Sequence, residues 1–257
     1  MAIREPYIKS THCGIARGRL ALILGVLHTL KSTSMRFLCF HGRGTNSQIM
    51  ESQIAALRHE LDTVHSYDFV EGTLASPLAP ELIAFFPSSQ TYYNYFSAES
   101  ADSILNALKY LAEFIEIEGP YDGLIAFSMG ATLAATYLIQ QAIHHREQPL
   151  PFKCAVFLSG GAPLDPLALE HGEVRTLKAE LNSDQLLPGF PTAHIWGRDD
   201  DLWGDRSMTL YELCDPKERT MFLHEEGHAV PGAKAMEALL GSIRAIRRTV
   251  GRAATTG

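Results

Sequence analysis

A single serine stands where an apolar run gives way to small residues. The nine residues from Gly123 to Ala131 read GLIAFSMGA, with Ser128 at the transition. A strand that turns sharply into a helix would expose this hydroxyl and aim the first helical N–H groups at a bound carbonyl. Such a turn needs small residues two positions before and after the serine, as Ala126 and Gly130 are. The pattern predicts a nucleophile, although alone it also fits a serine that caps a buried helix.

A base and an acid are needed, because a serine hydroxyl is a weak nucleophile near neutral pH. His228 follows an apolar, strand-like run and precedes the closing helix, so it is the predicted base. Asp200 ends a Gly-x-x-Asp sequence after another such run and is the predicted acid, with Asp199 and Asp201 as alternatives. The chain order serine, aspartate, histidine is the order in which a strand–serine–helix enzyme supplies its triad.

Negative charge that develops on the substrate oxygen needs backbone donors. The Met129 N–H, at the start of the helix after the serine, is one predicted donor. The second is the Arg43 N–H, in the loop His41-Gly42-Arg43-Gly44-Thr45-Asn46 after the first strand. Its two glycines also fit a dinucleotide-binding loop weakly, but the third glycine of that motif is absent. We interpret His41 as a structural imidazole that braces the loop.

The residues from His224 to His228 read HEEGH, which matches the zinc-protease signature H-E-x-x-H. Zinc ligation at that spacing needs a helix that places both imidazoles on one face. Gly227, Pro231 and the preceding strand-like run predict a loop instead, so neither a metal nor a cofactor is expected. The chain has four scattered cysteines without a C-x-x-C pair, which favours thiols in a reducing compartment: Cys13, Cys39, Cys154 and Cys214.

Apolar runs rich in strand-forming residues alternate with helical periods from Met35 onward. Strands are predicted at 36–40, 63–69, 154–158, 193–196, 220–223 and before the serine, with helices around 50–61, 104–115 and 236–246. This alternation predicts the α/β class, with a doubly wound, mainly parallel sheet flanked by helices in a single domain. In such a fold the functional site lies at the carboxyl ends of the strands.

Length and charge limit the function further. The chain has 257 residues, 46% of them hydrophobic, which suits one domain at 35–250 with a short tail at 251–257. A net charge of −7 without a basic cluster disfavours nucleic acid as a partner. No apolar stretch approaches the ~20 residues of a membrane span. The basic start and short apolar run of 1–34 predict an N-terminal extension or targeting segment. With an extension we expect a cytoplasmic protein, and the alternative is an organellar or secretory leader that is cleaved.

Together the motifs resemble the eukaryotic family of serine hydrolases found in yeast and other fungi, within the α/β-hydrolase superfamily. The resemblance covers roughly 35–250 and includes the loop at 39–46, the strand and elbow at 119–130, and the segments at 197–200 and 227–231. Ala126 departs from the family pattern, which has glycine there. The resemblance implies an α/β-hydrolase fold and a metal-free triad of Ser128, Asp200 and His228.

Two further segments resemble a branch of that family in fungal secondary metabolism. These are Phe69-Val70-Glu71-Gly72 and the aromatic run from Gln90 to Phe96. The best-known type is a thioesterase that releases a polyketide from a highly reducing synthase in the lovastatin pathway. The resemblance implies release of a polyketide or fatty acyl chain from a carrier-protein thioester, with the synthase carrier domain as a transient partner.

The aromatic run can be interpreted in two ways from its residues alone. Tyr92, Tyr93 and Phe96 are candidate acyl-binding residues, because an aromatic insertion beside a nucleophile can line a pocket. The alternative is a loop folded back for packing. At the level of function, a carboxylesterase that cleaves small free esters and a catalytically silent binding protein of the same fold are the alternatives.

Overall fold

Six parallel strands form the central sheet of the protein. A computed structural model describes residues 34–61, 64–86, 90–179, 186–201 and 203–255, so the extension predicted at 1–34 lies outside the described residues except for Ser34. The described strands are β1 Arg36–Phe40, β2 Ser66–Val70, β3 Leu74–Ser76, β4 Tyr92–Asn94, β5 Gly123–Phe127, β6 Cys154–Leu158, β7 Thr192–Gly197 and β8 Arg219–His224. The sheet order is β2-β1-β5-β6-β7-β8, and β3 pairs antiparallel with β4 outside it.

Helices cover both faces of this sheet. The described helices are α1 Ser47–Gln53, α2 Ala55–Glu60, α3 Ala101–Glu118, α4 Met129–His144, α5 Pro166–Glu170, α6 Gly204–Leu213 and α7 Met236–Ala253, with a 3₁₀ turn at Pro80–Leu82. One apolar core lies under α3 and α4, and the other lies under α1, α2 and α7. The doubly wound parallel sheet expected from the sequence is confirmed, and residues from Ser34 onward form one domain.

Burial explains why the central strands are apolar along their whole length. Every residue of β5 and β6 is buried, because helices cover both faces of a parallel sheet. Ser100 is the N-cap of helix α3, and its hydroxyl oxygen accepts the Ser103 N–H at 3.2 Å. Among the described residues, no helix combines the length and apolar character needed to cross a membrane.

The largest differences from the sequence-based element boundaries concern one helix near the start of the domain, strand β2 and the last helix. The single helix expected around 50–61 is split at Ile54 into α1 and α2, although its apolar positions are all buried. Strand β2 begins at Ser66 rather than at 63. Helix α7 extends to the buried Ala253, past the expected domain end at 250, because its apolar face continues to pack on the core.

Candidate active site

Ser128 occupies the sharp turn between β5 and α4. Its φ of 52° and ψ of −115° lie in a region that L-residues rarely adopt, so the turn is strained. Backbone hydrogen bonds on both sides of Ser128 maintain this turn. The Ser128 N–H donates to the Leu158 carbonyl at 3.0 Å, and the Ser128 carbonyl accepts from Ala131 and Thr132. The strain is thus held by the sheet on one side and by the helix on the other.

Close backbone approach explains two of the glycines around the serine. A Cβ added at Gly130 would lie 2.6 Å from the His41 carbonyl oxygen, and one at Gly42 would lie 2.9 Å from the Phe127 ring. Both distances are shorter than real contacts allow, so the loop after β1 touches the backbone of α4 at Gly130 and the Phe127 ring of β5 at Gly42. Ala126, which departs from the family pattern, is fully buried in the core under α4.

His228 bridges the serine and an aspartate. Its Nε2 lies 3.0 Å from Ser128 Oγ, and its Nδ1 lies 2.7 Å from Asp200 Oδ2. The carboxylate can only accept, so the network assigns the ring proton to Nδ1 and leaves the Nε2 lone pair facing the hydroxyl. This arrangement can move a proton from serine to imidazole.

Burial distinguishes the three aspartates of the loop after β7. The Asp200 side chain is 1% exposed, and its second oxygen accepts the Trp203 N–H at 3.1 Å. Asp199 and Asp201 are both exposed. The structure therefore brings Asp200, and neither neighbour, to His228.

Two aromatic rings flank the imidazole. The His228 ring centroid lies 5.2 Å from that of Phe127 and 5.6 Å from that of Trp203, the latter with an interplanar angle of 26°. The Arg206 guanidinium lies over the Trp203 ring in turn, 4.8 Å from its centroid. Sequence reasoning missed Trp203, because no motif marks a residue that contacts the base only after the chain has folded.

The two backbone groups predicted to hold the oxyanion lie beside the serine. Met129 is the first residue of α4, and Arg43 follows Gly42, where an added Cβ would lie 3.6 Å from the serine Cβ. Within the described part of the chain, neither the Met129 N–H nor the Arg43 N–H donates to a protein acceptor. Neither N–H is thus used by the protein in that part of the chain, which agrees with their predicted role as oxyanion donors.

Residues distant in sequence hold the loop that carries Arg43. The Gly44 N–H donates to the Tyr93 carbonyl at 3.1 Å and to Asn94 Oδ1 at 2.8 Å, and the Tyr93 N–H donates to the Thr45 carbonyl at 2.7 Å. Gly44 has a φ of 62°, which favours glycine. Strand β4 thus supports the loop His41–Asn46, which we call the oxyanion loop. Asn94 was missed from the sequence, since a lone asparagine in an aromatic run carries no signal.

His41 is buried behind the same loop. Its Nδ1 lies 2.7 Å from the Gly42 carbonyl oxygen, its Nε2 lies 3.0 Å from the Gly72 backbone nitrogen, and its ring stacks on Tyr95 at 4.5 Å. Glu71 Oε1 lies 3.2 Å from the same Nε2. Partial burial opposes ionisation of Glu71, but hydrogen bonds with the imidazole and a serine outweigh it and lower the pKa of that carboxyl. These contacts agree with the interpretation of His41 as a brace.

The aromatic residues proposed to bind substrate are placed differently from one another. Tyr92 is 3% exposed and Phe96 is 4% exposed, and Phe96 belongs to the core cluster under α4. Tyr93 is half-buried and forms a β-bridge with Thr45. The structure therefore puts Tyr92 and Phe96 in packing positions, because their run forms β4 and then turns inward. It leaves Tyr93 next to the oxyanion loop.

The HEEGH sequence forms no helix. His224 ends β8, and His228 lies in the loop that follows, so the predicted loop is confirmed. His224 is buried, accepts the Glu226 N–H at 3.2 Å, and has a pKa lowered by burial. Among the described residues, no group of three or more histidine, cysteine or acidic side chains is placed to hold a metal ion.

Comparison with known proteins agrees with this geometry. The chain is 40% identical over 222 residues to "Esterase FPY3" of Fusarium mangiferae, covering 85% of this chain and 98% of that protein. It is 31% identical over 252 residues to "Hydrolase FUB4" of Fusarium oxysporum f. sp. lycopersici, covering 77% of this chain and 92% of that protein.

Solved structures support the fold. A structure titled as esterase PE8 matches with a TM-score of 0.56 at 17% identity, over 84% of this chain and 92% of that chain. A carboxylesterase from Mesorhizobium loti matches with a TM-score of 0.53 at 16% identity, over 80% and 87%. The family model described as "Serine hydrolase (FSH1)" matches residues 31–238. The chain therefore belongs to the FSH1 family of serine hydrolases and is an enzyme with the α/β-hydrolase fold.

Proposed function

We propose that the protein cleaves acyl esters and thioesters through a serine-bound acyl intermediate. Ser128 Oγ attacks the acyl carbonyl carbon while His228 Nε2 takes the hydroxyl proton. Asp200 holds the imidazole tautomer, and the Met129 and Arg43 N–H groups bind the resulting oxyanion. The observation that carries this proposal is the pair of contacts at His228, 3.0 Å to Ser128 and 2.7 Å to Asp200.

The remaining steps use the same groups. The protonated imidazole gives its proton to the departing alkoxide or thiolate, which leaves the acyl group on Ser128. Water then attacks the acyl carbonyl as His228 accepts a proton from it. Collapse of this second tetrahedral species returns that proton to Ser128 and releases the carboxylic acid.

For the physiological substrate we propose a polyketide or fatty acyl chain held as a carrier-protein thioester, with the carrier domain as a transient partner. The support is the resemblance of 69–72 and 90–96 to the polyketide-releasing branch of the family. A carboxylesterase for small free esters is the second candidate, and the relatives named as esterases favour it.

Matched substrates separate these two candidates. The kcat/KM of a decanoyl-pantetheine thioester is compared with that of the decanoyl oxygen ester of the corresponding alcohol. A preference for the thioester, strengthened when the acyl group is loaded on a carrier domain, supports the first candidate. A large preference for the oxygen ester, with no gain from the carrier, rejects it in favour of the carboxylesterase.

Labelling tests the nucleophile independently of the substrate. A fluorophosphonate probe is expected to label the wild-type protein and not Ser128→Ala. Ser159 is a useful comparison, because it too is buried and has a positive φ of 43° at the end of β6. The Ser159→Ala variant should still be labelled. Equal labelling of Ser128→Ala and wild type would reject Ser128 as nucleophile.

A further inference from the structure

Two large apolar side chains are exposed a few residues after Ala79, whose backbone contacts the oxyanion loop. Ile83 is 65% exposed and Phe85 is 77% exposed, within the segment Pro80-Glu81-Leu82-Ile83-Ala84-Phe85-Phe86. Single exposed apolar residues are ordinary on protein surfaces, whereas grouped ones mark binding sites. The exposed apolar side chains of the 80–86 segment therefore indicate a binding site for an apolar group.

Backbone contacts join the residues immediately before this segment to the candidate active site. The Ala79 N–H donates to the Gly44 carbonyl at 2.9 Å, and a Cβ at Gly44 would lie 2.7 Å from the Pro77 carbonyl oxygen. Gly44 is adjacent to Arg43, whose N–H is a proposed oxyanion donor. Ile83 follows Ala79 by four residues, so the connecting chain spans at most about 14 Å. This is an upper limit, because the 3₁₀ turn at Pro80–Leu82 shortens the span, and a long acyl chain whose carbonyl oxygen is held by Arg43 extends over a comparable distance.

The segment also has a defined backbone. A 3₁₀ turn at Pro80–Leu82 is followed by hydrogen bonds from the Phe85 and Phe86 N–H groups to the Leu82 carbonyl, at 2.9 and 3.2 Å. The turn thus presents Ile83 and Phe85 from a folded support. Of the three aromatic residues predicted to bind the acyl chain, Tyr92 and Phe96 are in contrast buried and Tyr93 is half-buried.

We infer that Ile83 and Phe85 bind the alkyl part of the acyl group, so that the 80–86 segment gives the enzyme its preference for long apolar acyl chains. This inference rests on the proposed hydrolysis at Ser128. Covering one such side chain with alkyl carbons should raise kcat/KM by about tenfold or more for a long chain. The acetyl group is too short to reach the segment.

Chain-length kinetics test the inference. For acetyl and decanoyl esters of one alcohol, the ratio of kcat/KM, decanoyl over acetyl, should fall about tenfold in Phe85→Ser and in Ile83→Ser. The loss should appear mainly as a raised KM for the decanoyl ester, because uniform binding is removed. The matched control is Ile117→Ser, which removes a side chain that is 76% exposed. Ile117 lies near the end of α3, just before β5 begins, whereas Ser128 follows the end of β5. An unchanged ratio in Phe85→Ser, or an equal fall in Ile117→Ser, overturns the inference.

A binding measurement separates this inference from the proposed function. Decanoate, the product of either ester or thioester cleavage, is titrated into Ser128→Ala with and without Phe85→Ser. Weaker binding of about tenfold in the double variant supports the inference without any turnover, and equal binding rejects it. Activity that survives in Ser128→Ala would reject the proposed mechanism alone. A dimer in wild type that dissociates in Phe85→Ser would instead assign the patch to self-association and overturn the inference.

Discussion

At the residue scale, the triad depends on one buried carboxylate among three neighbouring aspartates. Asp200 accepts from His228 Nδ1 and from the Trp203 backbone, whereas Asp199 and Asp201 are exposed. The Gly-x-x-Asp motif singled out the same residue but left its neighbours open, because one turn of loop can redirect any of them. Only the folded backbone decides between side chains that are adjacent in sequence.

Replacing Asp200 tests this assignment. Asp200→Asn should keep the fold and lower kcat by about 10⁴, because an amide can hold the imidazole in the wrong tautomer. Asp199→Asn and Asp201→Asn serve as matched controls and should keep kcat within about twofold, since exposed charges have small effects. Steady-state kinetics on one activated ester measure all three. Full activity in Asp200→Asn would show that another residue is the acid of the triad.

A second residue-scale prediction concerns Asn94. Its Oδ1 accepts the Gly44 N–H at 2.8 Å, and Gly44 is adjacent to the proposed oxyanion donor Arg43. Asn94→Ala should lower kcat about tenfold with little change in KM, because the donor is positioned for the transition state more than for the substrate. Asn94→Asp keeps an acceptor and should restore most of the rate. If both variants lose the same activity, or if the loss is in KM alone, Asn94 has no positioning role.

At the scale of elements, the site depends on contact between α4 and the loop after β1. Gly130 has no room for a Cβ, which would lie 2.6 Å from the His41 carbonyl oxygen. Gly130→Ala should therefore reduce the free energy of unfolding by about 1–3 kcal/mol and also reduce kcat, since either helix or loop must shift. Chemical denaturation and kinetics measure the two effects.

The matched control for that variant is Gly251→Ala in α7. No atom lies within 4 Å of a Cβ at that position, so alanine should leave kcat unchanged and raise stability by up to about 1 kcal/mol. If Gly130→Ala behaves like Gly251→Ala, then the contact between α4 and the loop is not tight in solution.

The elements themselves were largely predictable. Buried runs such as β5 and β6 are apolar throughout, and the 3.6-residue period of α3 and α7 is clear in sequence. The split at Ile54 was not predictable, because the same apolar positions remain buried on either side of it. The β3–β4 pair was also missed, since it joins short three-residue strands that carry no periodic signal.

At the scale of the whole molecule, buried histidines link stability to pH. His194 lies between Phe157 and Tyr211, with Nε2 2.9 Å from Thr192 Oγ1, and burial lowers its pKa to about 3. The unfolded chain binds a proton near pH 6.5, whereas the folded protein resists it. The stability from this group is thus present above pH 6.5 and is lost as the pH falls toward 3.

Acid titration of stability checks this sign. The free energy of unfolding should fall by about 2 kcal/mol between pH 7.5 and 5 through His194 alone, by proton linkage. His194→Gln should show a shallower fall over that interval. His59→Gln, at an exposed position on α2, is the control and should keep the wild-type slope. Equal slopes in all three proteins would show that His194 does not titrate in this way.

The sequence by itself determined the α/β class, the succession of the main strands, and the residue types and chain order of the triad. These follow from local patterns: apolar runs, helical periods, and small residues around a serine. Tertiary structure decided which aspartate reaches His228, that Trp203 lies against its ring, and that β4 holds the oxyanion loop. It also separated the buried Tyr92 and Phe96 from the exposed Ile83 and Phe85. Each of these depends on contacts between segments far apart in the chain, whose distances no local pattern encodes.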